Sequence, residues 1–407
     1  MSFDAGSAIL RFRDFRCVVH GGEMRIRSRA TILAIVAGVL GIPPMAGQEP
    51  KPQMAEDVFK NIQVLKGMSV NEFMETMGFF SASTLLNCAD CHTKESSGNW
   101  EKYADETPLK RTARRMVVMM RGINQASFGG RQAVTCYTCH RGDERPRVIT
   151  DLTEMYSTPP PPEPDQILKQ AEGAPSADSL LDKYIQALGG AQKLATITSL
   201  VATGVYEGSP VSLMPGDSPL EIFAKAPNQR TMILHTDAGD ATTSYDGRAA
   251  WSAAPAVSAP VPVVPLTGTD LDATSVEAAL TFPGRIKQTL TNWRVGFPYT
   301  IDNNDVQVVQ GTSPGKLPVL LYFDSKSGLL VRMVRYKSLA IGRIPIRTDY
   351  SDYRDISGIK IPFRIKLTDV AGQGTIRLTD VKLNAPIDAA KFAKPGPPEP
   401  RRLRRLR

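Results

Sequence analysis

The spacing of apolar positions changes character along this chain, and each change marks a boundary. Residues 30–42 form one apolar run. From about 56 to 124 apolar residues recur every three or four positions, the helical period. Beyond Ser176, after one more amphipathic helix at 179–188, they alternate in short stretches divided by turn residues, as in strands with one buried face.

In the helical region Ser69-Val70-Asn71-Glu72 reads as a capping box, which starts a helix at Val70 and puts Phe73, Met77 and Phe80 on one face. Thr107-Pro108 supplies an N-cap and a first-turn proline for a second helix, to about Asn124, with Met116, Met120 and Ile123 on one stripe. Gly129-Gly130 then turns the chain. The alternating stretches fall at 200–206, 220–225, 231–235, 241–245, 306–310, 319–323, 329–336, 347–353, 361–368 and 375–383, interrupted by a helical stretch at 275–293. Turn pairs such as Asp246-Gly247, Ser327-Gly328 and Ser357-Gly358 separate them, so the reading is a meandering antiparallel sheet. The fold class is therefore α+β with more than one domain. The expected parts are an N-terminal extension and signal peptide (1–47), a helical domain (48–150), a proline-rich linker around Pro159-Pro160-Pro161-Pro162 (151–175), a β-rich domain (176–394) and a basic tail (395–407).

The run at 30–42 follows Arg25, Arg27 and Arg29 and precedes small residues at 46–47, the order of a secretory signal peptide; it is shorter than the roughly 20 residues needed to span a bilayer. Cleavage and export to the periplasm are expected, with an uncleaved N-terminal anchor as the alternative, and Met24 reads as a natural start. The formal charge of +8 on 407 residues does not point to nucleic acid. Its one concentrated part is the tail Arg401-Arg402-Leu403-Arg404-Arg405-Leu406-Arg407, a solvated segment or one that docks on an anionic membrane surface.

The chemistry is concentrated in Cys88-Ala89-Asp90-Cys91-His92 and Cys136-Tyr137-Thr138-Cys139-His140. In C-x-x-C-H two thiols add to the two vinyl groups of one porphyrin while the next imidazole reaches the iron, so two haem c groups are expected, on Cys88, Cys91, Cys136 and Cys139, with His92 and His140 as proximal ligands. A zinc ribbon would leave both histidines unexplained, and a thioredoxin-type site would come once beside a βαβ pattern. The other histidines are His20, ahead of the export signal, and His235, inside a strand and read as structural. Sixth ligands must then come mainly from methionine, although a methionine stripe serves as core as readily as it serves iron.

Four stretches resemble the cytochrome c subunit of bacterial photosynthetic reaction centres, over its first two haem units: Phe59-Lys60-Asn61-Ile62-Gln63-Val64-Leu65, Glu72-Phe73-Met74-Glu75-Thr76-Met77, Ala113-Arg114-Arg115-Met116, and Val134-Thr135-Cys136-Tyr137-Thr138-Cys139-His140-Arg141-Gly142. The resemblance covers about residues 55–148 and implies Met77 and Met116 as the distal iron ligands. The chain departs from the family in lacking its two further haem motifs and the histidine that crosses over from the loop at 125–134. The alternation after Ser176 is similar in pattern to the half-barrel of periplasmic lipoprotein carriers such as LolA. The expected function is single-electron transfer between redox partner proteins, among them a membrane-bound electron-transfer complex, with no bond-making step. The alternatives are a dihaem peroxidase, which needs a displaceable sixth ligand and distal acid/base groups, and a redox-sensing ligand- or lipoprotein-binding protein.

Overall fold

The computed structural model describes residues 50–96, 99–156, 166–208, 217–370 and 372–399. The expected signal peptide, Cys17, the polyproline run and the arginine-rich tail at 401–407 lie outside the described residues.

The first half is helical. It holds α1 (Ala55–Val58), α2 (Val70–Thr84), α3 (Cys88–Cys91), α4 (Pro108–Phe128), α5 (Cys136–His140) and α6 (Leu152–Tyr156). The Ser69 hydroxyl accepts from the Glu72 amide at 3.2 Å and Thr107 accepts from the Lys110 amide at 3.2 Å, so both long helices start where their caps predict. α4 runs four residues past the expected end and stops at Gly129, whose φ of 61° is cheap without a side chain.

The second half holds α7 (Ala177–Ala187), α8 (Ala191–Ala195), α9 (Gly268–Leu280) and α10 (Ile286–Thr289). Its strands before α9 are β1 (Ser199–Gly208), β2 (Ser218–Lys225), β3 (Gln229–Thr236), β4 (Gly239–Tyr245), β5 (Ala250–Ala253) and β6 (Val263–Leu266). After α10 come β7 (Thr291–Val295), β8 (Tyr299–Ile301), β9 (Asn304–Thr312), β10 (Pro318–Asp324), β11 (Leu330–Leu339), β12 (Gly342–Ile356), β13 (Ile359–Asp369) and β14 (Gly372–Leu383). These strands form one antiparallel sheet in the order β6-β5-β4-β3-β2-β1-β14-β13-β12-β11-β10-β9-β7, with β8 beside β9. Two meanders thus meet where β1 pairs with β14, Leu200 opposite Leu383 and Tyr206 opposite Ile376. The helical stretch expected at 275–293 is broken: α9 starts earlier, Pro283-Gly284 interrupts it, and Trp293 belongs to β7.

α7, α9 and α10 fill one face of the sheet, with Leu181, Leu188, Val276, Ile286, Phe323 and Met333 in the core between them. They leave a cavity of about 160 Å³ lined by residues such as Leu188, Ile222 and Met333. That is about the room a benzene ring takes.

The two halves share a core. Leu65, Met68, Phe79, Val117 and Met120 from the helices close over Leu339, Ile341 and Ile344 of the β11–β12 hairpin, all buried. Full burial of each such side chain is worth about 1.5–3 kcal/mol, so this contact is no loose docking. Polar contacts repeat the attachment. The Ala340 amide donates to Glu72 Oε1 at 2.9 Å, the Gln132 side chain donates to the Leu339 carbonyl at 2.8 Å, and Lys337 bridges Glu75 and Asp270. Glu72, expected to complete its own helix cap, is committed to the sheet instead. The expected linker is tied down as well: the Ile167 amide donates to Gln310 at 2.5 Å and the Ala171 amide to the Val295 carbonyl at 2.9 Å.

Candidate functional site

Each cysteine pair sits on one turn of helix. Asn87 Oδ1 accepts from the amides of Ala89 (2.8 Å) and Asp90 (3.2 Å), while Asp90 Oδ2 accepts from the Asn87 amide at 2.8 Å. This closed capping box winds a helix of only four residues and brings Cys88 and Cys91, three positions apart, to one side. The second motif uses hydroxyls: Thr138 Oγ1 accepts from the Thr135 amide at 3.0 Å, and the two hydroxyls lie 3.3 Å apart. No disulfide joins Cys88, Cys91, Cys136 or Cys139. Burial pushes the Cys91 and Cys136 thiols above their ordinary range.

The imidazoles are oriented by main-chain carbonyls. His92 Nδ1 lies 3.2 Å from the Tyr103 carbonyl and His140 Nδ1 lies 3.0 Å from the Asp143 carbonyl. A carbonyl oxygen only accepts, so Nδ1 carries the hydrogen and the Nε2 lone pair is left available, the tautomer an iron-ligating histidine needs. Burial, reinforced by the Lys110 ammonium, holds His92 below its ordinary pKa and keeps that lone pair unprotonated near neutrality. Tyr103 also packs its ring on His92, centroids 4.8 Å apart, and Trp100 stacks on Tyr103 at 5.3 Å. The Trp100 indole donates to the Ala256 carbonyl at 2.9 Å, between β5 and β6.

Both motifs are tied to the long helices. Thr107, the cap of α4, donates its hydroxyl to the Cys91 carbonyl at 2.6 Å. The Gly142 amide donates to the Ser83 carbonyl at 3.0 Å, linking the loop after His140 to the end of α2. Buried Asn124 fixes the approach to α5: its side chain donates to the Val134 carbonyl at 2.8 Å and accepts from the amides of Ala133 (3.1 Å) and Val134 (2.9 Å). Asn124, Tyr103 and Trp100 escaped sequence reasoning. Only the asparagine could have been suspected, as a polar residue on the inner face of α4.

Met77 on α2 and Met116 on α4 are half-buried, Met77 against the shared core. Met68 and Met120 are fully packed inside that core, and Met119 is 49% exposed. The donor set therefore fits two covalent haems: Cys88 and Cys91 with His92, Cys136 and Cys139 with His140, and a thioether from each long helix. Among the described residues no three His, Cys, Asp or Glu side chains converge as a metal site of another kind. His235 is engaged at both nitrogens, by Asp240 at 2.9 Å and Glu221 at 3.5 Å, which agrees with a structural role. Among the same residues no helix is long and apolar enough to cross a membrane.

Residues 22–172 match the family model described as photosynthetic reaction centre cytochrome C subunit. The helical half resembles the reaction-centre cytochrome c subunit. That subunit from Thermochromatium tepidum is 35% identical over 136 residues, which cover 32% of this chain and 32% of the relative. The Roseobacter denitrificans subunit is 33% identical over 123 residues, 27% of this chain and 31% of the relative. The chain thus spans about a third of the length of the curated relatives it matches. Solved structures that align with part of this chain include a LolA superfamily protein from Nitrosomonas europaea, with TM-score 0.38 and 17% identity over 54% of this chain and 99% of that one. Another is a putative outer membrane lipoprotein-sorting protein domain from Vibrio parahaemolyticus, with TM-score 0.36 and 9% identity over 53% of this chain and 97% of that one.

Proposed function

We propose that this chain is an exported dihaem cytochrome c that passes single electrons between redox partners on the periplasmic side of a membrane, one of them a membrane-bound electron-transfer complex. The observation that carries the reading is the pair of C-x-x-C-H turns, each with its histidine Nδ1 engaged by a main-chain carbonyl and Nε2 left for iron. Bound haem c supplies a reversible ferric/ferrous couple. The chain's own part is to hold it. The thiols of Cys88, Cys91, Cys136 and Cys139 fix the porphyrin edges, and His92 and His140 are kept in the ligating tautomer. Met77 and Met116 are offered as soft sixth ligands, which favour the ferrous state and raise the potential relative to a second histidine.

An electron carrier also accounts for what surrounds the site. A dihaem peroxidase needs a distal base beside a displaceable ligand, yet His92 and His140 are taken as proximal ligands and His235 is held by two carboxylates on the sheet. The test is a potentiometric titration of protein matured with a cytochrome c assembly system, normalised by pyridine haemochrome to the protein concentration. Two haems and two one-electron waves are expected. A single wave, or turnover of hydrogen peroxide at a rate typical of enzymes, contradicts the reading.

A further inference from the structure

On the reading of this chain as a dihaem cytochrome, we infer that its second unit, residues 107–148, is the docking face for an acidic redox protein. The two units carry opposite charge. Residues 107–148 hold nine basic side chains against Asp143 and Glu144, a formal +7 beside +8 for the whole chain, while residues 50–106 hold five basic against nine acidic, a formal −4. A separation of that size orients a charged partner before contact and raises its rate of productive encounter.

Folding accounts for only some of these charges. Lys110, Arg111, Arg114 and Arg115 crowd the first turns of α4, where the positive end of the helix dipole disfavours cations, and no acidic residue stands in that first turn. Lys110 and Arg114 have local duties, the first on the carbonyls of Tyr103 and Asp105 and the second on Glu106 at 2.7 Å. Arg111, Arg115, Arg131, Arg141 and Arg145 are exposed and have no ion pair among the described residues. Arg115 donates only to the Thr112 hydroxyl at 3.0 Å and Arg131 only to the Phe128 carbonyl at 3.4 Å, so their charges meet no carboxylate, and exposed cations without a counter-charge mark a site kept for another molecule.

The surroundings fit a protein. Val118 and Met119, three and four positions beyond Arg115 on the same face of α4, are 60% and 49% exposed, and Tyr137, between the two haem cysteines of α5, is 54% exposed. Exposed apolar and aromatic side chains in the same stretch as unpaired arginines have the composition of a protein interface. Position decides between a protein and a lipid surface, because Arg141 follows His140 directly and Arg145 lies four residues further on. A partner seated there is brought to the second haem, and only a redox partner gains from that.

The experiment follows reduction of the oxidised holoprotein by flavodoxin hydroquinone, an acidic donor, in stopped flow; one electron leaves the flavin, which becomes the semiquinone, and the cytochrome takes it. As ionic strength rises from about 10 mM to about 500 mM the second-order rate constant should fall about tenfold or more. Reduction by a basic mitochondrial-type cytochrome c should show no such fall. The triple variant Arg111→Glu/Arg115→Glu/Arg145→Glu should slow the flavodoxin reaction about tenfold at low salt and flatten its salt dependence, with two haems and both potentials retained. The control Lys316→Glu/Lys326→Glu/Lys360→Glu, exposed positions on the sheet domain carrying the same change in net charge, should leave the rate within about twofold. Equal loss in both triple variants, or none in the first, overturns the docking face. So does binding to phosphatidylglycerol vesicles that the arginine variant abolishes while its flavodoxin rate is unchanged, since the face would then be a lipid contact. A preparation without haem would fail at pyridine haemochrome, before any rate is measured, and would count against the dihaem reading instead.

Discussion

At the scale of single residues, the cysteines and histidines of the two C-x-x-C-H motifs stand out in the sequence by their spacing, whereas the groups that hold them do not. A histidine oriented by a main-chain carbonyl leaves no mark in the sequence, and Tyr103 and Asp143 could be any residues that place a carbonyl there. The sixth ligands remain a matter for substitution. Met77→Ala and Met116→Ala should each remove one ferric methionine–iron charge-transfer band and lower one midpoint potential, and loss of the band from Met74→Ala or Met120→Ala would place the ligand elsewhere on the same helices. Lys337 calls for a stability measurement. Burial works against its charge, but Asp270 at 2.5 Å and Glu75 hold its pKa above the ordinary range, while burial and Asp270 push Glu75 up to about 7. Lys337→Ala leaves two buried carboxylates facing each other, which should cost about 3–5 kcal/mol in urea unfolding of the holoprotein. A loss under about 1 kcal/mol would mean that water reaches the cluster and screens it.

Among the elements, strands with one buried face were readable from their alternation. β5, β6, β7 and β8 were missed: each is short, they lie at the ends of the sheet order or beside it, and they carry prolines, alanines and turn residues in place of a regular apolar alternation. The larger surprise concerns separability. The sequence reads as a helical domain and a β-rich domain joined by a proline-rich linker, yet the β11–β12 hairpin is built into the core of the helices. The contact is close: a Cβ on Gly342 would stand 2.7 Å from the Phe79 ring. Gly342→Val should therefore displace Phe79 and destabilise the protein by about 1–3 kcal/mol, measured as a lower urea midpoint. A chain truncated near Pro159 exposes Phe79, Val117 and Met120, and should be less stable than the full chain and show at least one altered haem potential. A truncated protein with both potentials unchanged would mean that the hairpin only covers the helices. Nothing local announced this contact, because its partners lie more than 200 residues apart.

Over the whole molecule, the helices that carry both C-x-x-C-H motifs pack on a large antiparallel sheet, one face of which is covered by α7, α9 and α10. The match to the reaction-centre subunit model ends at residue 172, ahead of α7 and the first strand, and here the β11–β12 hairpin supports α2 and α4. The account stands or falls on the number of covalent haems. Intact mass spectrometry of protein matured with a cytochrome c assembly system, after acid–acetone treatment, is the most direct measurement: the polypeptide plus two haem masses is expected, falling to one in Cys88→Ala/Cys91→Ala and in Cys136→Ala/Cys139→Ala. A wild-type polypeptide with one haem, none, or haem that the acid–acetone removes would contradict it.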